Sequence, residues 1–187
     1  MIIREALPTA VRLLEEAGVP DPRIDAEWML EHVTGLDRFG LRIHANLDLT
    51  AEQEQRFSSL LLSRAKREPV QYLLGEQFFY GLRFQVGPSV LIPRQETEEL
   101  CEWGLAFLAG FSAPTALDLC TGSGAIAVTL KHECPQACVT ASDLSCDALK
   151  TAQENARRNG TEIDFLQGDL WKAVGERTFD LILSNPP

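Results

Sequence analysis

Two short stretches of the chain hold residue types that can do chemistry. The first is Asp118-Leu-Cys-Thr-Gly-Ser-Gly124 with Ala125-Ile-Ala127 after it. Thr115–Leu119 alternates like a strand, Thr121-Gly122-Ser123-Gly124 reads as a turn, and Ala125–Lys131 reads as a helix with a basic residue near its end. A strand, a glycine turn and a helix together aim backbone N–H groups and a helix N-terminus at a ligand. Gly122-Ser-Gly-Ala-Ile-Ala127 fits the G-x-G-x-x-(G/A) pattern of nucleotide-binding α/β folds. A second strand-like run, Ala137–Ser142, ends in Asp143, 19 residues after Gly124, where a carboxylate hydrogen-bonds a ribose. The spacing alone is a weak signal, and its plain alternative is an ordinary βαβ turn with a surface Asp. The second stretch is Asn185-Pro186-Pro187. Neither proline has an N–H, so the main chain there only accepts hydrogen bonds, and Asn185 adds a side-chain carbonyl. Such a cluster can hold an –NH2 group by both protons while its nitrogen faces an electrophile, which is what methylation of a weakly nucleophilic planar nitrogen requires. Its plain alternative is a proline-rich turn at a strand end.

The chain has 187 residues, 45% hydrophobic and 24% charged, the balance of a soluble protein of one or two domains. A net charge of −10 argues against a broad basic surface, so direct nucleic-acid binding is not expected. The five cysteines, Cys101, Cys120, Cys134, Cys138 and Cys146, show no regular pairing and read as reduced thiols of the cytoplasm. Cys134 and Cys138 near His132 are of metal-ligand type, but Cys138 falls in an expected buried strand and no second ligand pair exists, so no metal is expected. No secretion signal opens the chain and no run approaches membrane-spanning length, so no membrane partner is expected.

The elements that must position these residues follow from periodicity. Residues 1–74 read as a helical bundle. Its first helix spans 3–18, with Pro8 expected to delay or kink it. Asp21-Pro22 reads as an N-cap and first helical position. The next apolar face is Ile24, Trp28, Leu30 or Met29, and Val33, closed by Gly35. A short helix covers Arg38–Ala45. Thr50-Ala-Glu-Gln53 is a capping box opening a helix with Phe57, Leu60, Leu61 and Ala65 inward, which runs to about Arg67 and is stopped by Pro69. Residues 75–92 read as a β-hairpin linker turning near Gly81, followed by an extended segment at 90–94. Residues 93–187 then give a helix at 96–107, strand 115–120, helix 124–133, strand 137–143, helix 146–158 capped by Ser145, strand 163–167, a loop, and strand 179–184. Such alternation implies a doubly wound, mostly parallel sheet, so the fold class is α/β with a helical bundle in front.

Taken jointly, Asp118-x-Cys-x-Gly-x-Gly124, Asp143, Gly168-Asp169-Leu170 and Asn185-Pro-Pro187 resemble the layout of class I S-adenosylmethionine-dependent methyltransferases. Upstream, Glu68-Pro-Val-Gln-Tyr-Leu-Leu-Gly75, the hairpin with Phe84-Gln-Val86, and Val90-Leu-Ile-Pro-Arg-Gln-Glu-Thr-Glu98 narrow this. Over essentially its whole length the chain resembles the release-factor glutamine methyltransferases, the HemK/PrmC family. The resemblance implies a Rossmann-like methyltransferase sheet, S-adenosylmethionine as cofactor with S-adenosylhomocysteine as product, and methylation of the glutamine amide in the Gly-Gly-Gln motif of peptide-chain release factors. It implies a helical domain that recognises the protein substrate. Asp118 and Cys120, Thr121, Gly122, Ser123 and Gly124 would surround the methionine part of the cofactor. Asp143 would take the ribose, and Asp169 and Leu170 would flank the adenine. Asn185, Pro186 and Pro187 would hold the glutamine amide, with Asn185 also at the cofactor.

Three departures from the family pattern stand out. Cys120 replaces the usual first loop glycine, and its side chain is expected to fit if its φ is negative. Gln95 replaces the usual proline before Glu-Thr-Glu, which is expected to loosen that segment. The family's fold continues with further strands beyond this length, so the sheet is expected to be incomplete and the shortened chain nearly inactive. Competing readings are a dinucleotide oxidoreductase, which shares the glycine turn and Asp143 and leaves Asn185-Pro-Pro187 unexplained, a ribosomal-protein glutamine or nucleic-acid amino methyltransferase, and a non-catalytic fragment that only binds a partner.

Overall fold

A computed structural model describes residues 1–186. The chain divides into two compact units, Met1–Leu74 and Gly75–Pro187.

The first unit is helical: α1 (Ile3–Glu16), α2 (Pro22–Thr34), α3 (Arg38–Ile43), α4 (Ala51–Ala65) and α5 (Val70–Leu74). Its core gathers Ile3, Ala6, Ala10 and Leu14 of α1, Ala26, Met29 and Leu30 of α2, Phe57 and Leu61 of α4, and Val70. Pro8 lies inside α1, which starts five residues earlier, so the proline does not delay it. Asp21 stands before Pro22 as expected, but its side chain makes no capping bond. The capping box at Thr50 and Gln53 is present in both directions. The expected face of α2 holds in part: Met29 and Leu30 are buried and Val33 packs against the core, but Ile24 and Trp28 are exposed. Apolar periodicity ignored the acids of α2. Asp25 is buried against the Arg64 guanidinium at 2.6 Å, and Glu27 lies between Arg23 and Arg38 at 3.2 Å each. Burying both paired carboxylates turns Ile24 and Trp28 outward. The chain leaves α4 at Ala65, with Arg67 in the left-handed region, and Pro69 precedes the short helix α5 rather than only ending α4.

The second unit opens with β1 (Glu76–Phe79) and β2 (Leu82–Gln85), paired antiparallel around Tyr80-Gly81. Both turn residues have positive φ, 50° and 75°, as a two-residue hairpin loop demands. Then come α6 (Glu96–Leu108), β3 (Thr115–Leu119), α7 (Ala125–Glu133), β4 (Cys138–Asp143), α8 (Cys146–Arg158), β5 (Asp164–Gln167), α9 (Trp171–Val174) and β6 (Leu181–Ser184). The four strands β5-β4-β3-β6 form one sheet, every pair parallel. On one face Ala116, Val139, Ala141 and Leu183 pack with α6 and with α7, whose residues Ala125–Leu130 are all buried. On the other face Leu117 and Leu119 meet Val174 of α9 with Leu166 and Phe179. Helices on both faces make the sheet doubly wound, as the alternation implied. Helix α9 stands where a loop was expected, because four residues are too few to show a helical period. Cys138, expected in a buried strand, is exposed at the start of β4, whereas Cys134 is buried.

Candidate functional site

Because the sheet is parallel, the C-terminal ends of its strands lie along one edge, where open α/β sheets bind ligands. The candidate residues sit there. Asp118 lies near the end of β3 with the glycine turn after it, Asp143 ends β4, Asp169 and Leu170 follow β5, and Asn185 and Pro186 follow β6. Pro187 lies outside the described residues. Hydrogen bonds tie neighbouring strand ends together. Gly168 N donates to the Asp143 carbonyl at 3.0 Å, Thr121 N to the Ser142 carbonyl at 2.9 Å, and Ser184 Oγ to the Leu119 carbonyl at 2.6 Å.

The turn is built from left-handed backbone: φ is 65° at Cys120, 55° at Gly122 and 81° at Gly124. A Cβ on Gly124 would come within 3.0 Å of the Ala152 Cβ and 3.2 Å of its Cα, so only glycine lets α7 lie this close to α8. A Cβ on Gly122 would meet nothing within 4 Å, which leaves that side of the turn open for a ligand. The condition set for a side chain at Cys120, a negative φ, is not met: Cys120 takes the conformation a glycine would, at the strain cost an L-residue carries there. Its thiol lies by the Ser184 hydroxyl, and burial followed by the Asp143 charge holds its pKa above the ordinary thiol value.

Two carboxylates shape this turn. Asp143 Oδ2 accepts from Gly122 N and Oδ1 from Ser145 N, each at 2.9 Å, which fixes the acid where β4 meets the turn. Asp118 is fully buried beneath it. Its Oδ2 accepts from Thr121 Oγ at 2.5 Å and from Ala127 N at 3.1 Å, while Oδ1 has no hydrogen-bond partner among the described residues. Burial pushes this carboxyl up to about 6, against the pull of those two bonds and with the Asp143 charge adding to the rise. Next to it the Cys101 thiol is pushed up to about 12, chiefly by burial and then by Asp118. Asp169 pairs with Lys172 at 2.8 Å at the surface, and the exposed Leu170 has φ 47°.

At the other end of the edge, Asn185 Nδ2 donates to Thr97 Oγ at 2.9 Å. Thr97 is buried in the first turn of α6. Its neighbour Glu98 accepts the backbone N–H of Tyr80 at the hairpin tip, at 2.7 Å. The Ile-Pro-Arg-Gln-Glu-Thr-Glu segment therefore supports both the hairpin and Asn185. The sequence reading gave Thr97 no role, and its only mark is its place between two glutamates. Gln95 has φ −60°, the value proline fixes, so it enters α6 in the backbone conformation that proline would impose.

A family model described as PrmC N-terminal domain matches residues 5–75, and one described as methyltransferase small domain matches residues 105–187. A protein of Koribacter versatilis called release factor glutamine methyltransferase is 42% identical over 188 residues, 100% of this chain and 67% of that relative. The chain belongs to the release factor glutamine methyltransferase family. A member of the family from Geobacter sulfurreducens is 43% identical over 185 residues, 99% of this chain. The chain spans 64% of that relative's length. In the solved structures, an S-adenosylmethionine-dependent methyltransferase from Agrobacterium tumefaciens shares the fold with a TM-score of 0.50 and 23% identity, over 60% of this chain and 39% of that one.

Proposed function

We propose that the chain transfers a methyl group from S-adenosylmethionine to the side-chain amide nitrogen of the glutamine in the Gly-Gly-Gln motif of peptide-chain release factors. The observation that carries this reading is the bond from Asn185 to Thr97. It engages the amide nitrogen and leaves Asn185 Oδ1, just after the end of β6, to accept. An amide clamp needs that polarity, and the donor-free Pro186 supplies further acceptors.

The turn fits the cofactor. It has an open side at Gly122, a helix N-terminus at Ala125 and a fixed carboxylate at Asp143. When bound, S-adenosylmethionine supplies a methyl group on a positively charged sulfur. Cys120–Gly124 would surround its methionine part, with Asp118 beneath them. Asp143 would take the ribose hydroxyls, and Asp169 and Leu170 would flank the adenine. Asn185 Oδ1 and the main-chain carbonyl beside it would accept the two protons of the glutamine amide and point its nitrogen at the methyl group. The protein's work is then orientation and electrostatics. No base needs to act first, because the extra proton leaves once the nitrogen has become cationic.

The helical unit, with a core of its own, would select the release factor, and the reaction would take place in the cytoplasm. Mass spectrometry of a release factor incubated with S-adenosylmethionine and a chain extended past Pro187 tests the reading. One added methyl group on the Gly-Gly-Gln glutamine supports it. Methyl transfer to another residue, or to a ribosomal protein in its place, contradicts it.

A further inference from the structure

Asn155 is fully buried on α8, and every polar atom of its side chain is used. Its Oδ1 accepts from Gln85 N at 2.6 Å, and its Nδ2 donates to the Gln85 carbonyl at 3.0 Å and to the Ser123 carbonyl at 2.8 Å. One turn later, Asn159 Nδ2 donates to the Arg83 carbonyl at 3.1 Å. Val86 N bonds back to the Gly75 carbonyl, so by antiparallel alternation Gln85 and Arg83 turn their backbone groups outward from the hairpin. The two asparagines cover this outer edge of β2 as a third strand would. Asn155 alone also reaches the glycine turn.

Ser123 and Gly124 share the last peptide before α7. Its N–H bonds to the Thr121 carbonyl at 2.9 Å and its C=O to Asn155. A peptide entering a glycine with φ 81° can flip at little steric cost, because glycine populates both signs of φ. A flip would swing the Ser123 carbonyl away from α8, to the side where a ligand meets the turn's N–H groups. We propose that Asn155 is a positioning residue of the cofactor site: it locks the Ser123–Gly124 peptide with its carbonyl turned inward and ties that lock to the edge of the hairpin. The inference rests on the glycine turn being the cofactor site.

The experiment compares Asn155→Ala and Asn155→Asp with Asn159→Ala in the whole chain. Asn155→Asp keeps the acceptor for Gln85 N and loses both donors, whereas Asn159→Ala removes a hairpin bond without touching the turn. Two readouts are taken on folded protein: hydrogen exchange of the Gly124 amide and the Kd for S-adenosylhomocysteine. Both Asn155 variants are expected to speed Gly124 exchange and to raise Kd by about tenfold or more, the scale of one lost buried hydrogen bond. Asn159→Ala is expected to leave both close to wild type. Lower thermal stability with unchanged Gly124 exchange and Kd would mean that Asn155 is only structural, and would overturn the proposal. Should wild type bind no S-adenosylhomocysteine, the cofactor reading falls, while Gly124 exchange still decides the lock. Should the Asn155 variants not fold, exchange in wild type decides: Gly124 and Gln85 amides that open together support the lock, and rates more than about tenfold apart overturn it.

Discussion

Asn185 and Thr97 stand 88 residues apart in sequence and meet through one hydrogen bond of 2.9 Å, from the Asn185 amide to the Thr97 hydroxyl. The bond orients an exposed side chain from a buried one. Thr97→Val keeps the shape and removes the acceptor, so Asn185 is free to rotate. Methyl transfer is expected to slow by about tenfold or more through lost orientation, with S-adenosylhomocysteine affinity unchanged. Thr97→Ser restores the hydroxyl and is expected to restore the rate. Full activity of Thr97→Val would remove Thr97 from the account.

Asp143→Ala removes the acceptor for two backbone N–H groups as well as the proposed ribose contact. Cofactor affinity is expected to fall by about 1.5–3 kcal/mol, the range for a hydrogen bond to a charged group. Calorimetry on a folded variant checks this, and an unchanged Kd would show that Asp143 serves the turn and not a ligand.

Cys120 carries a side chain in a left-handed conformation. Cys120→Gly relieves about 1–2 kcal/mol of strain and restores about 0.5–1 kcal/mol of unfolded-chain entropy, so stability is expected to change by about 1 kcal/mol or less. Cys120→Val adds β-branching at the same φ and is expected to destabilise clearly more than Cys120→Gly. Denaturant melts of the two variants measure the difference, and equal stabilities would contradict the strained turn.

The buried Asp118 has an ordinary value of 3.8 and a folded value of about 6. Below 3.8 it is neutral in both states. As pH rises, the unfolded chain releases the proton first, so Asp118's contribution to stability declines until the folded carboxyl has also ionised above about 6. The loss is about 3 kcal/mol on the scale of 1.36 kcal/mol per pKa unit. The Asp118→Asn variant cannot titrate there. Relative to wild type it is expected to gain about 2–2.5 kcal/mol in unfolding free energy between about pH 4 and pH 7, as urea melts at the two values would show. A constant difference between the two proteins would mean that Asp118 does not titrate in this window.

The sheet was legible because its strands and its longer helices carry their own periods, and the glycine turn because backbone with positive φ selects glycine at positions 122 and 124. Cys120 breaks that rule: the sequence could only tie its fit to a negative φ, and the turn imposes a positive one. On α2 Ile24 and Trp28 were misplaced because a count of apolar residues cannot see that Arg64, 39 residues away, lets Asp25 be buried. Thr97 and Asn155 were invisible as site residues. Their partners are backbone groups or side chains brought near only by the fold, and neither residue type signals its role. Asn185 was legible as a candidate because prolines after an asparagine strip donors from the local chain whatever the fold.

The amide clamp is the central claim, and single-turnover methyl transfer to a release factor by a chain extended past Pro187, with and without Asn185→Ala at saturating cofactor, tests it most directly. The clamp predicts a transfer step slower by about 10²-fold with cofactor Kd little changed. An Asn185→Ala protein that transfers at the wild-type rate would contradict it.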